Sequence, residues 1–246
     1  MRSSRGNPMS NMLEETRQQP QALTSTLEGG LRSIFELRHF FERHRPRLIV
    51  MVTRGTSDNA AQFGRYLIEI TTRIPVSLAA PSILTLYESP LDLRDVLVVG
   101  ISQSGESTDT NAVLADARQR GAMATLVEYP LLIHAGGEKS VAATKTYTCQ
   151  LLTVYLLAYA LSGAVQLEDL RRVPDWVDAA LRLEEDIEDL AERYFFMTRA
   201  VTVGRGLNYA NALEFGLKLM ETCYVVTERF SAADLMHGPI ALVQRA

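Results

Sequence analysis

The sequence predicts an α/β protein built on a doubly wound parallel sheet, and three observations lead there. Aliphatic runs of strand length, among them Leu48-Ile49-Val50-Met51-Val52 and Val96-Leu97-Val98-Val99, alternate with longer stretches of helical periodicity. Strands alternating with helices form a parallel sheet covered on both faces, so such strands are apolar throughout rather than at every second residue. Glycine-containing turns follow these two strands, at Arg54-Gly55-Thr56-Ser57 and from Gly100 to Gly105. The order strand, glycine turn, helix then recurs near the C-terminus, so tandem duplicated domains are expected.

The elements follow in chain order. Residues 1–11 read as flexible and Met12 to Gln18 as a helix. After Pro20, the pattern Leu23, Leu27, Leu31, Ile34, Leu37 predicts a second helix, bent or broken at Gly29-Gly30. The first strand, Leu48 to Val52, leads to a helix from Ala60 to Thr71 and a strand from Val76 to Ala79. Val96 to Ile101 is the next strand, Thr108 to Arg120 a helix, and Ala122 to Val127 a strand. Ala142 to Ala164 reads as a long closing helix, and Pro174 opens another from Asp175 to about Tyr194. The expected organisation is an N-terminal helical segment (1–47), a first α/β domain (48–165), a linker and helix (166–195), and the start of a second domain (196–246).

The repeat is short but ordered. Arg54-Gly55 recurs as Arg205-Gly206, and Phe63-Gly64-x-x-Leu67-x-Glu69 as Phe215-Gly216-x-x-Leu219-x-Glu221. The second copy reaches only Ala246, about 50 residues against more than 100 for the first. Between Val127 and Leu131 only three residues intervene, whereas a parallel crossover to a strand at Leu131 to His134 needs a dozen or more. The expectation is that a surface loop near Glu128 and most of the second domain are missing.

Composition narrows the function. With 246 residues, 47% of them hydrophobic, the chain buries a large core. A net charge of −4 gives no basic footprint, so nucleic acid is not an expected partner. Cys149 and Cys223 both sit in apolar helical patterns and read as buried, reduced thiols. No apolar run is long enough for a membrane span and no secretory signal opens the chain, so a cytoplasmic location is expected. The four histidines, His39, His44, His134 and His237, include no pair at metal-ligand spacing; no metal and no cofactor are expected.

The densest chemical signal is Ser102-Gln103-Ser104-Gly105-Glu106-Ser107-Thr108, between a strand and a helix. A helix N-terminus offers N–H donors and partial positive charge, and the hydroxyls of Ser102, Ser104 and Ser107 add donors without filling the space. Such a pocket suits a phosphate monoester. The same residues also suit an ordinary serine-rich helix cap, and the loop alone does not separate the two.

Four segments together resemble the sugar isomerase (SIS) domain family, in particular aminotransferases that isomerise a sugar phosphate and stand-alone amino-sugar phosphate deaminase/isomerases. They are Arg54-Gly55-Thr56-Ser57, Ser102 to Ser107, Ser140-Val141-Ala142-Ala143-Thr144-Lys145-Thr146-Tyr147, and the run from Leu213-Glu214 through Lys218 and Glu221 to His237-Gly238-Pro239. The resemblance implies a flavodoxin-like sheet and a phosphorylated hexose or hexosamine as ligand, with glucosamine 6-phosphate and fructose 6-phosphate as the interconverted pair. It implies that Ser102, Gln103, Ser104 and Ser107 hold the phosphate, and that Thr56, Ser57 and the backbone at Val141, Ala142 and Ala143 meet the sugar. Glu221 matches the base that moves a proton between C1 and C2, Lys218 lies one helical turn before it, and His237 matches a ring-opening histidine supplied by the neighbouring subunit. A homodimer with shared sites follows, acting without a glutaminase of its own. The alternative is a sugar-phosphate-binding module that regulates rather than catalyses. Glu69 and His134 are expected to be structural, and Met51 to be core filler.

Overall fold

The computed structural model describes residues 10–89, 91–103, 105, 107–125 and 130–243. Ser104, Glu106 and the suspected loop near Glu128 lie outside the described residues. Helix α1 (Asn11–Arg17) is capped by Ser10, whose hydroxyl accepts from the Leu13 N–H. Pro20 stands at the start of α2 (Gln19–Arg43), where its missing N–H costs nothing.

The expected break at Gly29-Gly30 is absent, and α2 runs unbroken. Its glycines serve close packing instead. A Cβ on Gly29 would lie 2.3 Å from the His134 ring, and one on Gly30 would touch Leu156. His134 is thus a packing residue, as its sequence context predicts.

Strand β1 (Leu48–Val52) occupies the middle of a four-stranded parallel sheet with β2 (Val76–Leu78), β3 (Val96–Gly100) and β4 (Ala124–Thr125), in the order β2-β1-β3-β4. Its two faces enter two cores. Ile49 and Met51 of β1 join Leu97 and Val99 of β3 beneath α2, α3 (Thr56–Thr72) and α6 (Lys145–Ser162). Val50, Val52, Val96 and Val98 face the other way, towards Leu114 and Ala117 of α5 (Thr108–Gln119). A short helix, α4 (Ser82–Thr85), lies between β2 and β3. Both faces are covered, so the sheet is doubly wound as expected.

Residues 131–134 form no strand. Leu131 and Ile133 pack against the larger core without joining the ladder, so the short connection before them closes no crossover. The long helix begins at Lys145 rather than Ala142, because the Glu138 carboxylate captures the Thr144 N–H at 2.7 Å and holds the preceding residues as a loop. A short helix, α7 (Leu167–Arg171), precedes Pro174, and the helix expected from Asp175 to about Tyr194 is split into α8 (Val173–Leu181) and α9 (Glu184–Ala191), then a 3-10 turn at Glu192–Tyr194.

Beyond it, β5 (Arg199–Gly204) pairs in parallel with β6 (Val226–Ser231), a strand the sequence reading missed, across α10 (Leu207–Cys223). A further short helix, α11 (Ala232–Met236), starts at the Ser231 cap. Helices α3 and α10 are each 17 residues long. They follow glycines of one geometry, Gly55 at φ 64°, ψ −134° and Gly206 at φ 60°, ψ −133°, and end at left-handed residues, Arg73 and Tyr224. In this frame Glu221 corresponds to Ile70, so the two Phe-Gly pairs are one residue out of phase and Glu69 is not the counterpart of Glu221. The Glu69 carboxylate accepts from the Val76 N–H at 2.9 Å, a structural task. Met51 and Cys149 are buried, but Cys223 is exposed, contrary to expectation, because it ends α10 beyond the packed face.

Candidate functional site

In the order β2-β1-β3-β4 the chain reverses direction across the sheet between β1 and β3. The turns leaving two such strands diverge, opening a crevice at their carboxyl ends. A cleft of about 300 Å³ lies there. Its lining comes from four places: Arg54 to Ser57 after β1, Ile101 to Gln103 and Ser107 after β3, Val141, Ala143, Thr146 and Gln150 at the start of α6, and Glu221 near the end of α10.

Of the residues singled out by sequence, Thr56, Ser57, Ser102, Gln103, Ser107, Val141, Ala143 and Glu221 therefore share one cleft. Ala142 is buried beside it, and Ser104 lies outside the described residues. Lys218 stands behind Glu221 and does not line the cleft. His237, exposed at the end of α11, is not part of it either.

Helix α5 starts at Thr108, as the sequence predicts. Ser107 is its cap, accepting from the Thr110 N–H at 3.4 Å, so the N–H groups of Thr108 and Asp109 are among those without an intrahelical partner. Ser102 Oγ accepts from the Gly105 N–H at 3.0 Å. A hydroxyl that accepts from the backbone keeps its proton, so Ser102 can still donate to an anion in the cleft. Gln103 Nε2 donates to Glu138 Oε2 at 2.9 Å, and the Arg54 guanidinium pairs with Asp109 at 2.8 Å, joining the turn after β1 to α5.

Glu221 belongs to a charged row on one face of α10, with Glu214, Lys218 and Glu221 spaced so that their side chains meet. The Lys218 ammonium lies 3.0 Å from Glu214 and 2.8 Å from Glu221, and 3.4 Å from the Thr56 hydroxyl. Glu214 is buried and takes a further bond from Asn59 Nδ2 at 2.7 Å. Glu221 is the outer carboxylate, 31% exposed at its side chain, and the one that reaches the cleft.

Sequence reasoning missed Glu138, Gln150 and the role of Glu214. The i, i+4, i+7 spacing of Glu214, Lys218 and Glu221 was the available signal for the last; nothing local marked the other two. Gln150 Nε2 donates to Ser57 Oγ at 3.0 Å, while its Oε1 and the Tyr147 hydroxyl have no hydrogen-bond partner among the described residues. Burial, and after it the negative charge of Glu214, pushes the Tyr147 phenol up, so it stays a neutral donor.

Residues 44–160 match the SIS domain family. Over 94% of its length the chain is 36% identical to the glutamine–fructose-6-phosphate aminotransferase (isomerizing) of Aquifex aeolicus, spanning 41% of that protein. It is likewise 36% identical to the enzyme of that name from Pyrococcus horikoshii, covering 95% of this chain and 42% of the relative. The chain thus spans about two fifths of the curated relatives it matches. Among solved structures, the C-terminal domain of glucosamine-fructose-6-phosphate aminotransferase from Francisella tularensis superposes with a TM-score of 0.85 at 27% identity, covering 97% of this chain and 74% of that one. Glucosamine-6-phosphate deaminase from Thermotoga maritima shares the fold, with a TM-score of 0.68 at 23% identity over 96% of this chain and 74% of that chain.

Proposed function

This chain belongs to the SIS domain family through its residues 44–160, and on that premise we propose that it is a sugar-phosphate enzyme interconverting glucosamine 6-phosphate and fructose 6-phosphate, or a closely related pair. The observation that carries the reading is the single cleft at the β1/β3 switch, which joins a hydroxyl-lined helix start to one partly exposed carboxylate backed by an ammonium. Phosphate is a dianion held at the α5 end by the Ser102, Gln103 and Ser107 side chains, with Ser104 completing the loop. Thr56, Ser57 and the Val141 to Ala143 backbone hold the sugar.

Converting a 2-amino aldose phosphate to a ketose phosphate requires a proton to pass between C2 and C1. A single carboxylate on one face of the enediol or enamine serves as base and then as acid, and Glu221 is placed for that task. The Lys218 ammonium, 2.8 Å from this carboxylate, steadies the negative charge that develops on the sugar. His237 lies away from the cleft of its own chain, which supports a role as ring-opening acid-base group in the cleft of a second protomer within a homodimer. The two strand-turn-helix units, with their matching caps, support a duplicated architecture.

Incubation with glucosamine 6-phosphate, with assays for ammonia and fructose 6-phosphate, tests the reading. Release of both in equal amounts is expected. Tight binding without turnover of any hexosamine or ketose phosphate would replace the enzyme with a sugar-phosphate-binding module.

A further inference from the structure

Helix α1 is short, yet its Glu15 is only 4% exposed. A carboxylate buried alone is strongly disfavoured, so its partners are informative. They lie 124 and 125 positions away in sequence: the Glu15 carboxylate accepts the backbone N–H of Lys139 and, at 3.1 Å, that of Ser140. These two residues stand in a segment with no regular secondary structure, immediately before Val141 and Ala143, which line the cleft. The loop is fastened at its other end too, where the buried Lys145 ammonium donates to Gln18 Oε1 at 2.7 Å. Within it, Glu138 accepts from the Thr144 N–H and hydroxyl, from the Thr146 hydroxyl, and from Gln103 across the cleft.

We propose that Glu15 is a positioning residue for the sugar side of the cleft: by taking the N–H groups of Lys139 and Ser140 it fixes the backbone of Val141 to Ala143 where the sugar is held. The inference rests on the sugar-phosphate reading of the cleft. A carboxylate suits this work because both its oxygens accept, whereas a carboxamide in its place accepts at one end and turns an NH2 group towards an N–H at the other. Among the described residues, Ser102, Gln103 and Ser107 at the phosphate end have no bond to Glu15 itself, and Gln103 meets the loop through Glu138 rather than through Lys139 or Ser140, so loosening the loop acts unequally on the two ends of a ligand.

Isothermal titration of the whole chain with inorganic phosphate and with glucosamine 6-phosphate separates the possibilities. Glu15→Gln is expected to weaken glucosamine 6-phosphate about tenfold while changing phosphate less than about twofold, and Glu15→Asp, which keeps the carboxylate, is expected to recover part of the loss. A general loss of stability would lower the melting temperature without changing that ratio in folded protein. An unchanged ratio in Glu15→Gln overturns the inference. Failure of the unaltered protein to bind either ligand overturns the sugar-phosphate reading instead. Should Glu15→Gln not fold, amide hydrogen exchange in the unaltered protein decides: slow exchange at Lys139 and Ser140 is expected, and exchange at free-loop rates contradicts the clamp.

Discussion

Lys218 serves two carboxylates at once, and their different burial decides what each does. Glu214, 8% exposed at its side chain, is held by Lys218, Asn59 and Thr56; Glu221 has Lys218 and then the cleft. Removing the ammonium leaves the buried Glu214 charge with only the neutral donors Asn59 and Thr56, so Lys218→Ala is expected to lower stability by about 3 kcal/mol in urea unfolding. Glu221→Gln, at a site partly open to solvent, is expected to change it by less than about 1 kcal/mol. On the proposed reading, Ser102→Ala removes one donor to a phosphate present in ground and transition states alike. It is expected to raise KM about tenfold, or about 1.5 kcal/mol, with kcat little changed in steady-state assays. The two thiols should also separate: burial pushes the Cys149 thiol up to about 11, while Cys223 is exposed. A thiol reagent at pH 8 should therefore modify Cys223 quickly and reach Cys149 only on unfolding.

At the scale of elements, the glycine turns carry the site. Gly55 and Gly206 share a backbone conformation that L-residues rarely adopt, so either substitution by alanine is expected to cost about 1–3 kcal/mol in urea unfolding. Only Gly55 lines the cleft, so only Gly55→Ala should also raise KM. The sheet strands, the switch-point turns and most of the cleft residues were legible in the sequence, because aliphatic runs and Gly-Ser-Thr turns are local signals. What was not legible depends on distant partners. The continuity of α2 through Gly29-Gly30 rests on His134 and Leu156 packing against it. The delayed start of α6 rests on the Glu138 carboxylate, and the burial of Glu15 on N–H groups over a hundred residues away. Among the described residues strand β6 pairs only with β5, across the whole of α10, and no turn signal announces it.

For the molecule as a whole, the separation of His237 from the cleft makes assembly part of the proposed chemistry. Mixed Glu221→Gln and His237→Ala protomers, each inactive alone, should regain about a quarter of the sites if they exchange randomly into dimers, because half the dimers are mixed and each of those has one intact site. Absence of recovery with heterodimers demonstrated would confine the site to one chain. The central claim, that Glu221 moves a proton between C1 and C2 of a bound sugar phosphate, is tested most directly by NMR of fructose 6-phosphate and glucosamine 6-phosphate recovered after incubation with the protein in D2O. Deuterium is expected at the carbon that exchanges its proton with the unaltered protein, and its incorporation should fall by on the order of 10²-fold or more in Glu221→Gln while ligand affinity is retained. Incorporation at an undiminished rate in Glu221→Gln, or none with the unaltered protein, would contradict it.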